Sequence, residues 1–152
     1  MFIAWLVYFS PYHITHISLT SSRYTWAIFT YTGTDEIIKK NAHYLIKWPD
    51  NRALDAGLKP GDIIIKKTMC MPGELFAVHN TQIQCEGVYI GTFSAGEGEN
   101  GQQQYKNWPF PALSRLSQDQ YYVEGDTAHS YDSRQFGPLP RSAFWGTILI
   151  GI

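Results

Sequence analysis

The sequence predicts a mainly β fold in a single domain, and three observations carry the prediction. Aromatic side chains make up 15% of the chain, as 10 Tyr, 8 Phe and 5 Trp, and together with many β-branched residues they favour a pleated, half-buried surface. The apolar runs are short and are cut by clusters of Gly, Pro, Asp and Asn, the punctuation of strands joined by turns. A length of 152 residues supports one hydrophobic core and is too short for two comfortable ones.

Taken in order, Met1 to Phe9 form an uninterrupted apolar and aromatic run ended by Ser10-Pro11. It is about half of the roughly 20 residues that cross a bilayer. No Lys or Arg precedes it and no small-residue cleavage site follows, so it does not read as a removable signal. Two readings stand, the tail of a membrane anchor or a buried amino-terminal strand. Residues 1–12 are therefore set apart from a domain over residues 13–152.

From Ile14 to Tyr31 the hydroxyl- and aromatic-rich chain lacks helical spacing and reads as extended, stopped by Gly33-Thr34-Asp35. A strand is predicted over His43 to Trp48, then one or two helical turns from Arg52 to Leu58, then a turn at Lys59-Pro60-Gly61-Asp62. Ile63-Ile64-Ile65 is a continuous apolar run of the kind buried on both faces, and it delivers the chain to Lys66-Lys67. After a turn at Met71-Pro72-Gly73-Glu74, Leu75 to Val78 and Val88 to Ile90 suggest a small sheet, and Ser94 to Tyr105 a solvated loop. Gln120 to Glu124 alternates as a strand, a polar stretch runs from Gly125-Asp126 to Phe136-Gly137, and Ala143 to Ile152 is the last strand.

Several chemistries are disfavoured. With 12 Lys+Arg against 13 Asp+Glu there is no basic field to hold nucleic acid. The five histidines have no carboxylate or thiol at ligand spacing, so no metal site is expected. Gly96 to Gly101 has the glycine spacing of a dinucleotide fingerprint, yet it lacks the flanking strand and helix, and its glutamates repel a pyrophosphate. Cys70 and Cys85 are 15 positions apart without CxxC spacing, which leaves two buried thiols or one disulfide.

Three stretches matter jointly: Thr20-Ser21-Ser22, the run Ile65-Lys66-Lys67 with Pro72-Gly73-Glu74 beyond it, and Gly125-Asp126 through Ser130-Tyr131-Asp132-Ser133-Arg134 to Phe136-Gly137. Together they resemble the type I signal peptidases, over most of residues 17 to 150. In that family a strand ending in lysine meets a Pro-Gly-Asp turn six residues on, and this chain keeps the spacing with Glu for Asp. The family's closing box of Gly-Asp, then Ser-x-Asp-Ser-Arg, an aromatic and Gly is matched from Gly125 to Gly137. Ile17-Ser18-Leu19-Thr20-Ser21-Ser22 resembles the Ile-Asn-x-Thr-x-Ser approach of the TraF-type peptidases of conjugative transfer, with Ser for Asn, although Arg23-Tyr24 replaces the usual apolar residue and proline after the serine.

The resemblance implies a signal-peptidase-like β fold and a Ser–Lys catalytic pair. Ser22 is the nucleophile and Lys66, rather than Lys67, the base. Thr20 donates to the oxyanion, and the period of two in a strand aims Thr20 and Ser22 to one side and Ser21 to the other. Ser130 holds the lysine amine, Asp132 and Arg134 form a supporting ion pair, and Asp126 shapes the site. A lysine of ordinary pKa, about 10.4, is protonated at neutral pH and is no base. Burial against Ile63, Ile64, Ile65 and Met69 has to lower it by about 3 units, roughly 4 kcal/mol.

The implied reaction is removal of the leader of an exported precursor, a propilin in a conjugative transfer system, without a cofactor. The implied setting is the inner membrane with the catalytic domain facing the periplasm, where Cys70 and Cys85 are expected to be bonded and to brace the lysine strand. The alternatives are a general type I signal peptidase and an inactive pilus-assembly protein of the same fold.

Overall fold

The computed structural model describes residues 11–17, 25–51, 53–54, 57–79, 81–92, 113–127 and 130–151. Their strands, in chain order, are β1 (His13–His16), β2 (Trp26–Tyr31), β3 (His43–Lys47), β4 (Ile63–Cys70), β5 (Leu75–His79), β6 (Gln82–Cys85), β7 (Val88–Thr92), β8 (Leu113–Arg115), β9 (Gln120–Glu124), β10 (Leu139–Pro140) and β11 (Phe144–Gly151). One sheet has the order β1-β2-β11-β3-β4-β9-β10 and a smaller one the order β7-β6-β5-β8. The fold is mainly β, as the aromatic and β-branched content requires.

β4 is the spine of the molecule because it is buried on both faces, as its isoleucine run predicts. Ile64 packs with Tyr44, Trp48, Val123 and Leu139, whereas Ile65 joins Ile17, Ala27, Phe29 and Leu45 in a separate cluster. Further along, Cys70 enters a third cluster with Phe76, Ile83, Leu116 and Tyr122. Burying one such side chain is worth about 1.5–3 kcal/mol, so all three clusters fix the position of this strand.

The stretch from Ile14 to Tyr31 is not one extended run. β1 and β2 pair antiparallel, with His13 opposite Phe29 and His16 opposite Trp26, and the Ile17 amide donates to the Thr25 carbonyl at 2.9 Å. Alternation in sequence carries no information about chain direction, so it fits two paired strands as well as one long one. Of the helical turns expected over Arg52 to Leu58, the described part shows tight turns, with Leu54 N–H to the Asn51 carbonyl and Gly57 N–H to the Leu54 carbonyl. Met1 to Phe9 and Ser94 to Tyr105 lie outside the described residues, and among those described no helix is long and apolar enough to cross a membrane.

The turn after β4 is built as its sequence specifies. The Glu74 amide bonds the Met71 carbonyl at 3.1 Å, and Gly73 takes φ 81° at the position where a type II turn requires a positive angle, after a proline that presets the first. The Glu74 carboxylate closes the same turn by accepting from the Met71 amide at 2.7 Å and pairs with Lys40 at 2.8 Å. Cys70 and Cys85 form a disulfide, with their Cα atoms 5.7 Å apart. It ties β4 to β6, and so fastens the small sheet to the strand that carries Lys66.

Candidate active site

Lys66 lies in the middle of β4 and is only 1% exposed. Its Nζ donates to Ser130 Oγ at 2.7 Å. Burial, which penalises the ammonium form, lowers its pKa from 10.5 to about 8, with the charge of Asp132 opposing the shift and that of Arg134 adding to it. That shift corresponds to roughly 3 kcal/mol of differential destabilisation of the charge. Lys67, the next residue, points to the other side of the strand and is only partly buried.

The partner of Lys66 is held by a loop and a short helix, α1 (Ser133–Phe136), that follow β9. Asp132 is the N-cap of α1, and its side chain with that of Gln135 forms a capping box, which satisfies two amide donors at the helix start. The signal is present in sequence as Asp132-Ser133-Arg134-Gln135. The fully buried Asp132 carboxylate receives a forked pair from Arg134, Nε to Oδ1 at 2.8 Å and Nη2 to Oδ2 at 2.6 Å. It also accepts from the Gly125 amide at 2.9 Å and the Arg134 amide at 3.1 Å. Arg134 Nη2 continues to the Thr127 carbonyl at 3.2 Å. The guanidinium pKa is raised, first by the Asp132 hydrogen bonds. One carboxylate thus gathers the strand end, the loop and the helix start around Ser130.

Gly125 is required here by space. A Cβ on it would lie 1.8 Å from Ser130 Oγ and 3.0 Å from Lys66 Nζ, so any side chain displaces the pair. Asp126, the next residue, reaches His43 Nε2 on β3 through Oδ1 at 2.9 Å. No local pattern points to that partner, because the two residues are 83 positions apart and only strand register brings them together.

Glu124, on the other side of Gly125, likewise carries no signal in the sequence. Desolvation raises its pKa from 4.5 to about 7, with the charge of Asp132 adding to the shift and a hydrogen bond from the Tyr122 side chain opposing it. It borders a cavity of about 500 Å³, which Tyr89 and Thr92 of the small sheet also line. Gly91 allows that approach, since a Cβ there would come 2.5 Å from Glu124 Oε1.

Lys66, Ser130, Asp132, Arg134 and Asp126 therefore converge, with the amine buried, oriented and partly deprotonated near neutral pH. Such an amine can take a proton from a hydroxyl. Thr20 and Ser22 lie outside the described residues. Their described flanks are Ile17, which packs in the same cluster as Ile65, and Thr25, bonded to Ile17. Where Cys70, Glu74 and Cys85 bring possible ligand atoms within 4.8 Å of one another, the two sulfurs are bonded to each other.

The family model described as "Signal peptidase, peptidase S26" matches residues 1–151. A signal peptidase I from Enterococcus faecalis, known from its crystal structure, is 18% identical over 75% of this chain and 98% of its own, with a TM-score of 0.47. Comparison with curated proteins gives no match.

Proposed function

This chain belongs to the signal peptidase family of serine peptidases, and on that premise we propose that it cleaves exported precursor proteins with Lys66 as general base and Ser22 as nucleophile. In this reading Ser22 Oγ loses its proton to Lys66 Nζ and attacks the scissile carbonyl carbon. The developing oxyanion is met by the Thr20 hydroxyl and a backbone N–H. The C–N bond breaks as Lys66 returns the proton to the leaving amine, and water, activated by the same amine, then releases the acyl group as a carboxylate.

The single observation that carries the reading is the buried Lys66 amine, held by Ser130 at 2.7 Å with its pKa lowered to about 8. At pH 7 such a group is neutral in roughly one molecule in ten, enough for a base that an ordinary surface lysine does not provide. Asp132, Arg134 and Asp126 keep Ser130 and Gly125 in place. The roles of Ser22 and Thr20 rest on their motif.

The family match embraces signal peptidases generally, and the substrate it supports is an exported precursor in the broad sense, cleaved at a membrane surface. Propilin of a conjugative transfer system, processed on the periplasmic side of the inner membrane, is the narrower reading. It is favoured by one observation, the approach Ile17-Ser18-Leu19-Thr20-Ser21-Ser22.

The test is co-expression with the propilin of the same transfer region and, separately, with a secreted precursor bearing an ordinary leader. Product mass is followed for wild type, Ser22→Ala and Lys66→Ala. Processing by wild type that disappears in both variants supports the Ser–Lys reading, and the precursor that is cut identifies the substrate class. Processing that survives Ser22→Ala removes Ser22 as nucleophile. An intact precursor of both kinds with wild type favours an inactive assembly protein.

A further inference from the structure

The geometry points to His43 as a positioning residue of this site, one that holds the Gly125-Asp126 corner against the Lys66–Ser130 pair and offsets the charge of Asp126. The assignment rests on the Ser–Lys reading for its link to catalysis and on the hydrogen bond between His43 and Asp126 for its physical basis.

Three observations lead to it. His43 starts β3 and stands opposite Lys67 of β4, so its backbone is fixed by the same sheet that carries Lys66. Its Nε2 meets Asp126 Oδ1 at 2.9 Å, the one side-chain bond that joins β3 to the corner after β9 among the described residues. Asp126 directly follows Gly125, whose Cα leaves no room even for a methyl group beside Ser130 Oγ and Lys66 Nζ. A small movement of that corner is therefore transmitted to both atoms of the pair, and displacements of this kind are costly to a reaction that depends on alignment.

The second part is electrostatic. The groups whose charges act on Lys66 are Asp132 and Asp126, which favour its ammonium form, and Arg134, which opposes it. Asp132 is matched by the fork from Arg134, whereas Asp126 has His43, with Lys67 on the strand opposite that histidine. The His43 side chain is 40% exposed and that of Asp126 is 22% exposed, so solvent screens the pair and the effect is moderate. The hydrogen bond that His43 Nε2 donates to Asp126 Oδ1 at 2.9 Å disperses part of the charge of that carboxylate and lets the Lys66 amine lose its proton more easily. Without His43 the bare Asp126 carboxylate holds the proton on Lys66 more tightly, and the base titrates at higher pH.

The experiment follows Lys66 directly by NMR of 13C-labelled lysine, its signal assigned by absence in Lys66→Met, alongside processing rates. His43→Ala is expected to raise the Lys66 pKa and to lower kcat about fivefold near pH 7 with little change in KM. His43→Gln keeps a donor toward Asp126, and both the rate and the Lys66 pKa are expected to return toward the wild-type values. In Asp126→Asn the pKa falls, and adding His43→Ala to it has no further effect, because the two residues act as one unit. A Lys66 pKa unchanged in His43→Ala, or additive effects of the two substitutions, overturns the assignment. The NMR titration needs no turnover, so a protein that cleaves nothing still reveals whether His43 acts on Lys66, and the failure of the peptidase reading is seen separately.

Discussion

Two ionisable side chains lie near Gly125, Lys66 close to the space its missing Cβ would fill and Glu124 next to it in the chain, and the same force acts on both with different results. Desolvation lowers Lys66 to about 8 and raises Glu124 to about 7, so both titrate near neutrality. Lys66 is sealed in and oriented, with its amine on Ser130 and Ser130 enclosed by the Asp132–Arg134 fork. Glu124 opens toward a cavity of about 500 Å³ and has the Tyr122 side chain as its hydrogen-bonding neighbour. Burial alone shifts a pKa. A surrounding network is what turns the shifted group into one with a fixed direction, and Lys66 has one through Ser130, Asp132 and Arg134.

The largest expected effect comes from removing the oriented member. Lys66→Met is expected to lower processing by about a thousandfold or more, the scale of losing a general base. The same substitution is expected to stabilise the fold at pH 7 by about 1–2 kcal/mol, because roughly 3 kcal/mol of desolvation cost disappears and Ser130 loses one partner. Processing assays and urea denaturation of the one variant check both halves, and a destabilised Lys66→Met contradicts the claim that the amine is held at a cost. Breaking the network instead is the next largest effect. Asp132→Ala leaves the largely buried Arg134 side chain without its carboxylate partner, the Gly125 amide without its acceptor and α1 without its cap, and a loss of about 3–5 kcal/mol is expected. A loss below about 1 kcal/mol would show that the fork is ornamental to the fold.

Which parts of this arrangement are legible in sequence follows from how far apart their residues lie. Ser130, Asp132 and Arg134 fall within five consecutive positions, so a local motif brings them together, and the capping box Asp132 to Gln135 is spelled out in that segment. The choice of Lys66 over Lys67 rests on the spacing to Pro72-Gly73-Glu74, and the structure buries the first and leaves the second partly exposed. The mainly β class and the two-faced burial of the isoleucine run are likewise readable, because composition and short apolar runs respond to burial. Contacts set by register are not. His43 with Asp126, Lys40 with Glu74 and Gly91 against Glu124 all join segments far apart in the chain, and alternation gives neither partner nor direction. For the same reason the reversal between β1 and β2 is invisible in sequence, and β6, β8 and β10 are too short to stand out, β10 being only two residues with a proline.

The smallest effect sharpens the comparison through pH. Glu124 has a folded pKa above its unfolded value, so between 4.5 and about 7 the folded protein binds more protons than the unfolded chain and its stability falls as pH rises. The contribution is intact below the unfolded pKa and lost once the pH has passed the folded one. Glu124→Gln removes the titration while keeping the shape. Little change is therefore expected at acid pH, and a gain of about 2 kcal/mol at pH 8, the full shift reduced because the carboxylate is partly reached by solvent. Urea denaturation of both proteins across that range reads the difference directly. Equal gains at both ends would mean that Gln fits the site better for reasons of packing, and a loss at pH 8 would mean that the carboxylate has a stabilising partner there. In that case Glu124 would resemble Asp132 more than the contrast with Lys66 allows, and the cavity that it shares with Asp126 and Arg134 would have to be regarded as part of the organised site.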